Sequence, residues 1–354
     1  MAFDKKRHEI IGQAPKVYIN ILSAVVIMEV VMSARCLYLS RADVEAVDLG
    51  MGVIIGALEK MFLEKAVGRV EMPPKPGIHP RGDAFIHAMP AFIPALKSAG
   101  IKWVSGFPDN PGRGLPYISG LIVLNDVETG LPTAVMDCTW ITAKRTGAAT
   151  AVAARRLARP DSETAGILGC GVQGRSNLEA LLKTLAIRRV TAYDSNGAAA
   201  EAFRLEMERR LGVSVKVVRT AEAAVRGSDV VVTAGPIVKT PHATIRPGWL
   251  ERGAFASLVD YDSYWSREAL HEADKFCTDD IAQLEFTKAQ GYFMDIPPVY
   301  AELGELVAGL KPGRESPSER IMACNLGLAL DDMATAPLVL EKAIARGLGT
   351  WLEL

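Results

Sequence analysis

A glycine-rich segment and a later aspartate have the spacing of a dinucleotide-binding site. The segment follows an apolar run at 165–168, precedes a helical pattern and matches G-x-G-x-x-G as Gly169-Cys170-Gly171-Val172-Gln173-Gly174. In such a loop the glycines permit a tight turn and let a pyrophosphate approach the backbone, while the helix N-terminus favours phosphate. Asp194 comes 20 residues after Gly174, where a carboxylate accepts hydrogen bonds from ribose hydroxyls.

These residues predict a nicotinamide dinucleotide cofactor and therefore hydride transfer. Because a carboxylate at position 194 repels a 2′-phosphate, we expect NAD(H) to be preferred over NADP(H). Arg175, directly after the loop, could instead help to hold a phosphate. The expected cofactor-binding residues are Gly169, Gly171, Val172, Gln173, Gly174, Asp194 and Thr233, which ends a later strand pattern.

Basic residues in the preceding half could hold a carboxylate and move protons. Lys75 and His79 lie in a proline-rich segment, and Lys102 interrupts an apolar strand pattern at 100–105. A lysine withdrawn from water has a lowered pKa and can transfer protons, although a lysine at a sheet edge can also extend its ammonium group to solvent. Arg145, near the start of a helical pattern at 142–157, can bind a carboxylate as a guanidinium fork or lie on the helix surface.

Two acids follow the apolar run at 254–259. Ligands bind at the carboxyl ends of strands in open α/β sheets, so an acid at this point is expected to face the site. Asp262 is the acid expected to face the site, and Asp260 competes with it for that position.

The order of elements predicts an α/β protein with two domains. From 165 to 233, apolar runs and helical patterns alternate as in right-handed βαβ units, which predicts a doubly wound, Rossmann-type parallel sheet. The earlier half is expected to be α+β, with a helix at 40–65 capped by Ser40 and strands at 36–39, 84–87, 100–105, 118–124 and 133–137. A helix from about 324 to 345 is expected to return to it. The predicted domains are 1–141 plus 320–354 for substrate binding, and 142–319 for NAD.

Composition argues against several other classes of protein. The 40 basic and 41 acidic side chains give a formal charge of −1 without long runs of one sign, so nucleic acid is not an expected partner. Five scattered cysteines without a C-x-x-C pair predict reduced thiols in the cytoplasm, no disulfide framework and no metal site. The apolar stretch at 17–34 contains Glu29 and is shorter than the roughly 20 residues of a membrane span, so we expect neither a membrane segment nor a signal peptide.

From about residue 37 to the C-terminus the sequence resembles the ornithine cyclodeaminase and mu-crystallin family. The most specific segments are 125–130, 136–137, 141–146, 168–173, 301–305 and 313–316. The resemblance implies a Rossmann domain inserted in a discontinuous α+β substrate-binding and dimerisation domain, a homodimer formed through that second domain, and an active site between the two. It also implies that Lys75 and Arg145 bind the substrate carboxylate, that Lys102 transfers protons and that Asp262 is the catalytic aspartate.

Two positions depart from the family pattern. Lys75 stands where an arginine is usual, which replaces a bidentate fork by a point charge. His87 stands two residues before Met89-Pro90, where the ornithine enzymes carry an acid that receives the distal amine. Because an imidazole does not attract an ammonium group as a carboxylate does, a neutral or acidic side chain, or a preformed imine, is expected at least as much as ornithine. The presence of Asp262 argues for the cyclodeaminases.

The sequence therefore predicts an NAD-dependent enzyme that transfers hydride at the α-carbon of a small amino or imino acid. Amino acid dehydrogenase, imine reductase and deaminating cyclase, such as one that forms proline and ammonia from ornithine, remain open. Lys102 and Asp262 are the expected catalytic residues, and Lys75, Arg145, His79 and His87 the expected substrate-binding residues. The alternative is a mu-crystallin-like protein that binds nucleotide and a small molecule without catalysis.

Overall fold

The computed structural model describes residues 34–82 and 84–354, and its first β-sheet has seven strands. They are β1 (Arg35–Leu39), β2 (Gly77–Arg81), β3 (Ala84–Ile93), β4 (Ser98–Gly106), β5 (Ile118–Asn125), β6 (Pro132–Asp137) and β15 (Thr350–Glu353). Their order is β15-β1-β6-β5-β4-β3-β2. β1 and β6 are parallel, and all other neighbours in this sheet are antiparallel. The apolar stretch predicted at 17–34 lies, apart from its last residue, outside the described residues.

The second sheet has eight strands and is parallel throughout. They are β7 (Thr164–Leu168), β8 (Arg189–Tyr193), β9 (Ser214–Val217), β10 (Val230–Thr233), β11 (Phe255–Leu258), β12 (Lys275–Thr278), β13 (Val299–Glu302) and β14 (Ile321–Cys324). The order β13-β12-β14-β11-β10-β7-β8-β9 reverses direction between β7 and β10, as in doubly wound sheets. The predicted α/β fold class with a Rossmann sheet is confirmed.

Ten α-helices occur among the described residues. They are α1 (Arg41–Ala46), α2 (Met51–Ala66), α3 (Thr139–Leu157), α4 (Val172–Leu181), α5 (Gly197–Leu211), α6 (Ala221–Val225), α7 (Arg267–Leu270), α8 (Ile281–Lys288), α9 (Leu303–Val307) and α10 (Ala329–Ala345). Ser40 caps α1 through a reciprocal capping box with Asp43. The single helix predicted at 40–65 is wrong, because Asp48 adopts a left-handed φ of 47° and divides it into α1 and α2.

The helix predicted from about 324 to 345 begins at Ala329 instead. Residues Ile321–Cys324, which precede this helix, form β14. This strand is fully buried and pairs with β11 and β12, so it belongs to the parallel sheet. A short apolar run in a buried strand cannot be distinguished by periodicity from a buried helical turn. The domain bounds, 1–141 plus 320–354 and 142–319, stay a prediction.

Helix α3 connects the two sheets and packs on α2 and α4. Its interior is rich in buried alanine, and Gly147 faces Ser176 of α4 so closely that a Cβ would lie 2.5 Å from the Ser176 carbonyl oxygen. Small side chains let the two helix backbones approach and hold the two halves in one arrangement. No helix in the described part of the chain is both long and apolar enough to cross a membrane.

Candidate active site

A cavity opens between the two sheets at the carboxyl ends of the parallel strands. Residues of β3 and β4 form one wall, and the segments that follow β10, β11 and β14 form another. The starts of α3 and α4, together with α8, complete the lining. Ligands bind at this edge of open α/β sheets. The cavity brings together six of the predicted residues: Lys75, His79, His87, Lys102, Arg145 and Gln173.

The glycine loop has the backbone shape that a dinucleotide requires. Gly169 has a φ of 93°, and a Cβ there would lie 2.5 Å from the carbonyl oxygen of Ala234. A Cβ on Gly174 would collide with the carbonyl oxygen of Gly169. Gly171 is the N-cap of α4 without a side-chain cap, and the exposed Val172 opens the helix. The N–H groups at the start of α4 are thus oriented as a phosphate site requires.

A second cavity lies beside this loop, and Asp194 faces it. Its lining comprises Leu168, Gly169, Tyr193, Asp194, Ser195, Ala221, Thr233, Gly235, Pro236, Thr244, Asp260 and Tyr264. The Asp194 carboxylate accepts hydrogen bonds from the N–H groups of Cys170 and Asn196, both at 2.8 Å. Each carboxylate oxygen retains acceptor capacity for a ribose hydroxyl. Among the described residues, no lysine, arginine or histidine lines this cavity.

Thr233 and Arg175 make contacts within the protein. The Thr233 hydroxyl donates to Asp260 at 2.6 Å and accepts from the indole N–H of Trp265 at 3.3 Å. Arg175 donates to Glu206 at 2.8 Å and to the carbonyl oxygens of the glycine loop. Arg175 therefore supports the loop from outside, and its charge is shared with Glu206.

Lys102 and Arg145 are held by two buried aspartates at the N-terminus of α10. Lys102 Nζ lies 2.5 Å from Asp332 Oδ2, and the lysine side chain is 1% exposed. Arg145 Nε lies 3.5 Å from Asp332 Oδ1, and its Nη1 lies 3.5 Å from Asp331 Oδ2. Burial, followed by the charge of Arg145, lowers the pKa of Lys102 and favours the neutral amine that can accept a proton. Burial also raises the pKa of Asp331 to about 7.

Lys75, which precedes β2, reaches the same cavity and contacts the segment that follows β14. Its Nζ donates to the carbonyl oxygens of Leu326 at 3.0 Å and Gly327 at 3.5 Å. Asp279 fixes this segment by accepting the N–H groups of Leu326 at 3.0 Å and Gly327 at 2.9 Å. Burial lowers the pKa of Lys75 to about 8, and the charge of Asp279 opposes that shift.

His87 and His79 are neighbouring imidazoles on β3 and β2. The His87 ring stacks on Phe85 with 4.4 Å between centroids, and the His79 ring meets it edge-on at 6.2 Å. Burial, followed by the charge of Lys75, lowers the pKa of His87 to about 3, so this ring is neutral at neutral pH. In the β3–β4 ladder Met89 pairs with Lys102, which puts His87 and Lys102 on the same face of the sheet.

Neither of the two acids that follow β11 lines the main cavity. Asp260 binds Thr233 and also accepts the N–H of Gly235 at 2.8 Å, and burial raises its pKa to about 7. Asp262 is buried as well, and its pKa is raised by that burial. Tyr261, with a left-handed φ of 63°, redirects the chain and occupies the cavity wall. The structure therefore does not bring Asp262 beside Lys102.

Sequence reasoning misses Asp331, Asp332 and Tyr261. The two aspartates have a signal, because consecutive acids inside the apolar stretch at 326–336 are rarely buried without cationic partners. The left-handed turn at Tyr261 has none, since a positive φ at a bulky residue cannot be read from residue type.

All five cysteines are buried free thiols. Within 34–82 and 84–354, no group of three or more histidine, cysteine, aspartate or glutamate side chains has the arrangement of a metal site.

The model of the ornithine cyclodeaminase/mu-crystallin family matches residues 36–347. The alanine dehydrogenase of Archaeoglobus fulgidus is 37% identical over 327 residues, covering 90% of this chain and 98% of that protein.

Two solved structures share the whole fold. The Thermococcus litoralis Δ(1)-pyrroline-2-carboxylate reductase in complex with NADH and L-proline is 35% identical with a TM-score of 0.81, over 89% of this chain and 99% of that one. An archaeal alanine dehydrogenase dimer with bound NAD is 36% identical with a TM-score of 0.81, over 91% of this chain and 100% of that one.

Proposed function

Because the chain belongs to the ornithine cyclodeaminase/mu-crystallin family, we propose that it is an NAD-dependent enzyme that transfers hydride at the α-carbon of a small amino or imino acid. One observation carries this proposal. Lys75, Lys102 and Arg145 converge on the cavity that Gln173 of the glycine loop also lines. Carboxylate binding, proton transfer and a cofactor loop thus meet in one place.

NAD(H) fits the glycine loop and the second cavity. The N-terminus of α4 would hold the pyrophosphate, and Asp194 would hold the ribose hydroxyls. When bound, the cofactor supplies or accepts the hydride. The preference for NAD(H) over NADP(H) is supported by the carboxylate of Asp194 and by the cation-free lining of the second cavity among the described residues.

Arg145 and Lys75 are proposed to bind the substrate carboxylate. Asp331 and Asp332 hold the guanidinium of Arg145, while backbone carbonyl oxygens hold the ammonium of Lys75. Both cations are therefore oriented before the substrate arrives, which reduces the entropy lost on binding.

Lys102 is proposed to transfer the proton at the substrate nitrogen or at the attacking water. Its lowered pKa favours the neutral amine, which accepts a proton during amino acid oxidation and returns it during imine reduction. Asp262 remains a predicted catalytic residue.

Net oxidation or reduction is favoured over cyclodeamination. Of the described residues that line the main cavity, none is an aspartate or glutamate that could receive a distal amine. The test is purified protein with NAD⁺ and ornithine, lysine, alanine or aspartate, following NADH absorbance and ammonia together. We expect NADH to accumulate, whereas ammonia without net NADH would establish cyclodeamination.

We also propose that the enzyme is a cytoplasmic homodimer. The five free thiols and the use of a soluble nicotinamide cofactor support the location. An exposed apolar face on the first sheet, which includes Trp103 and Leu121, supports the dimer.

A further inference from the structure

His87 occupies a slot that its neighbours on β2 and β3 build around it. Gly77 of β2 pairs with His87 across the ladder, and a Cβ at position 77 would collide with the imidazole. Phe85 covers one face of the ring at an interplanar angle of 20°, and His79 meets its edge at 78°. The imidazole is thus confined on three sides, and it lines the cavity together with His79.

The ionisable side chains around this slot are basic. The titratable groups of the described cavity lining, tyrosines apart, are Lys75, His79, His87, Lys102 and Arg145. The carboxylates of Asp331 and Asp332 are fully buried behind Lys102 and Arg145 and are absent from the lining. Lys75, His79 and Lys102 all act to keep the His87 ring neutral. An ammonium group on a substrate side chain would be repelled here, while an anion would be attracted.

The register of β3 and β4 determines how far His87 lies along the sheet from Lys102, where the reaction is proposed to occur. Lys102 is opposite Met89 in the ladder. His87 lies two residues from Met89 along β3 on the same face, so the Cα atoms of His87 and Met89 are about 7 Å apart. A substrate whose α-carbon lies beside Lys102 can therefore extend a side chain of two or three atoms to the imidazole.

We propose that His87 and His79 form a subsite for a second carboxylate, so that the substrate is an amino or imino acid with an acidic side chain. The inference rests on the proposed hydride transfer and specifies its substrate class. A neutral imidazole donates one N–H to the carboxylate, and the ammonium group of Lys75 adds attraction at longer range. A methyl side chain would leave the imidazole N–H without that acceptor.

In the reductive direction, a 2-oxo dicarboxylate, ammonium, NADH and a proton give the dicarboxylic amino acid, NAD⁺ and water. The carbonyl oxygen leaves as water, the nitrogen forms the new bond to the α-carbon, and NADH supplies the electron pair as hydride. A preformed, protonated imine of the same acid needs only NADH and a proton.

The activity test compares oxaloacetate, 2-oxoglutarate and pyruvate, each with ammonium and NADH. We expect kcat/KM for at least one dicarboxylate to exceed that for pyruvate by about tenfold or more. His87→Leu should reduce this ratio by about tenfold, and His87→Gln, which keeps an N–H donor, should reduce it less. His271→Gln is the matched control, because His271, directly after α7, is an exposed histidine paired with Asp295. Preference for pyruvate, or a ratio unchanged in His87→Leu, would overturn the subsite while leaving hydride transfer intact.

A binding test separates this inference from the proposed reaction. In the presence of NAD⁺, aspartate or glutamate should raise the melting temperature more than alanine does, and His87→Leu should remove the difference. That result supports the subsite even if none of the three oxo acids is reduced, which would count against the proposed reaction. Equal stabilisation by alanine and the acidic amino acids would overturn the subsite.

Discussion

Asp332 is the carboxylate that Lys102 and Arg145 share. Its two oxygens lie 2.5 Å from Lys102 Nζ and 3.5 Å from Arg145 Nε, and its side chain has no exposure. The proposed proton-transfer group and the proposed carboxylate-binding group are therefore fixed relative to each other by a third residue, which makes Asp332 a positioning residue in this proposal.

We expect Asp332→Asn to lower kcat/KM for amino acid oxidation by about 10² or more, because displacement of either cation disturbs the reacting geometry. The charge of Asp332 raises the pKa of Lys102 against burial and Arg145, so its removal lowers that pKa further. The acidic limb of the pH–rate profile should then move to lower pH. Asp295→Asn, at an exposed ion pair on the surface, is the control. An unshifted limb in Asp332→Asn would contradict this role for Asp332.

Asp194 should determine the choice between the two nicotinamide cofactors. We expect Asp194→Ser to raise the ratio of kcat/KM for NADPH over NADH by about tenfold or more, because the serine no longer repels a 2′-phosphate. Initial rates with both cofactors check this, with the exposed Glu201→Ser on α5 as the control. Equal use of both cofactors by the unaltered protein would contradict the proposed preference.

Sequence analysis identifies the residues whose type is unusual for their position in the chain. Lys102 stands in an apolar strand and the glycines stand before a helix, so each has a local signal. Asp262 has a local signal too, but the turn at Tyr261 determines where its side chain lies. That turn depends on tertiary packing, which a single sequence does not display.

At the scale of elements, two glycines of the loop are expected to have different roles. Gly174 is needed for close packing of the backbone, and Gly171 for cofactor binding. A Cβ on Gly174 would meet the Gly169 backbone, whereas no atom of the described chain lies within 4 Å of a Cβ on Gly171. We expect Gly174→Ala to lower the free energy of unfolding by about 1–3 kcal/mol through overpacking. Gly171→Ala should leave stability nearly unchanged but weaken NADH binding, because the methyl group would stand where the pyrophosphate approaches. Chemical denaturation and NADH fluorescence titration measure the two effects, and equal loss of stability in both variants would contradict the assignment.

The elements that sequence reasoning misplaces share a physical cause. β14 is an apolar run of four buried residues that continues into the apolar start of α10, so helix and strand have the same local pattern. The break between α1 and α2 depends on one left-handed residue, Asp48, in an otherwise helical pattern. The alternating elements of the parallel sheet were predictable because each strand is followed by a turn signal and a helical period.

At the scale of the whole molecule, the first sheet has two apolar faces. One face packs on helices and includes the fully buried Ile122 and Met136. On the opposite face, Trp103 is opposite Leu121 in the β4–β5 ladder, and their side chains are 50% and 41% exposed. Antiparallel sheets that face water usually alternate apolar and polar residues, so this second face has the character of an interface.

We expect Trp103→Asp to convert a dimer into a monomer, because a carboxylate would be buried without a partner at the centre of the face. Sedimentation or light scattering measures the mass, with circular dichroism to verify folding. Leu205→Asp is the matched control, since Leu205 is an exposed residue on α5 in the other half of the chain.

Activity should fall together with the dimer, because β4 presents Trp103 on the interface side and Lys102 on the cavity side. A folded Trp103→Asp variant that retains the mass of the unaltered protein would exclude this face as the dimer interface. A fully active monomer would show instead that Lys102 is positioned by α10 alone, through Asp332.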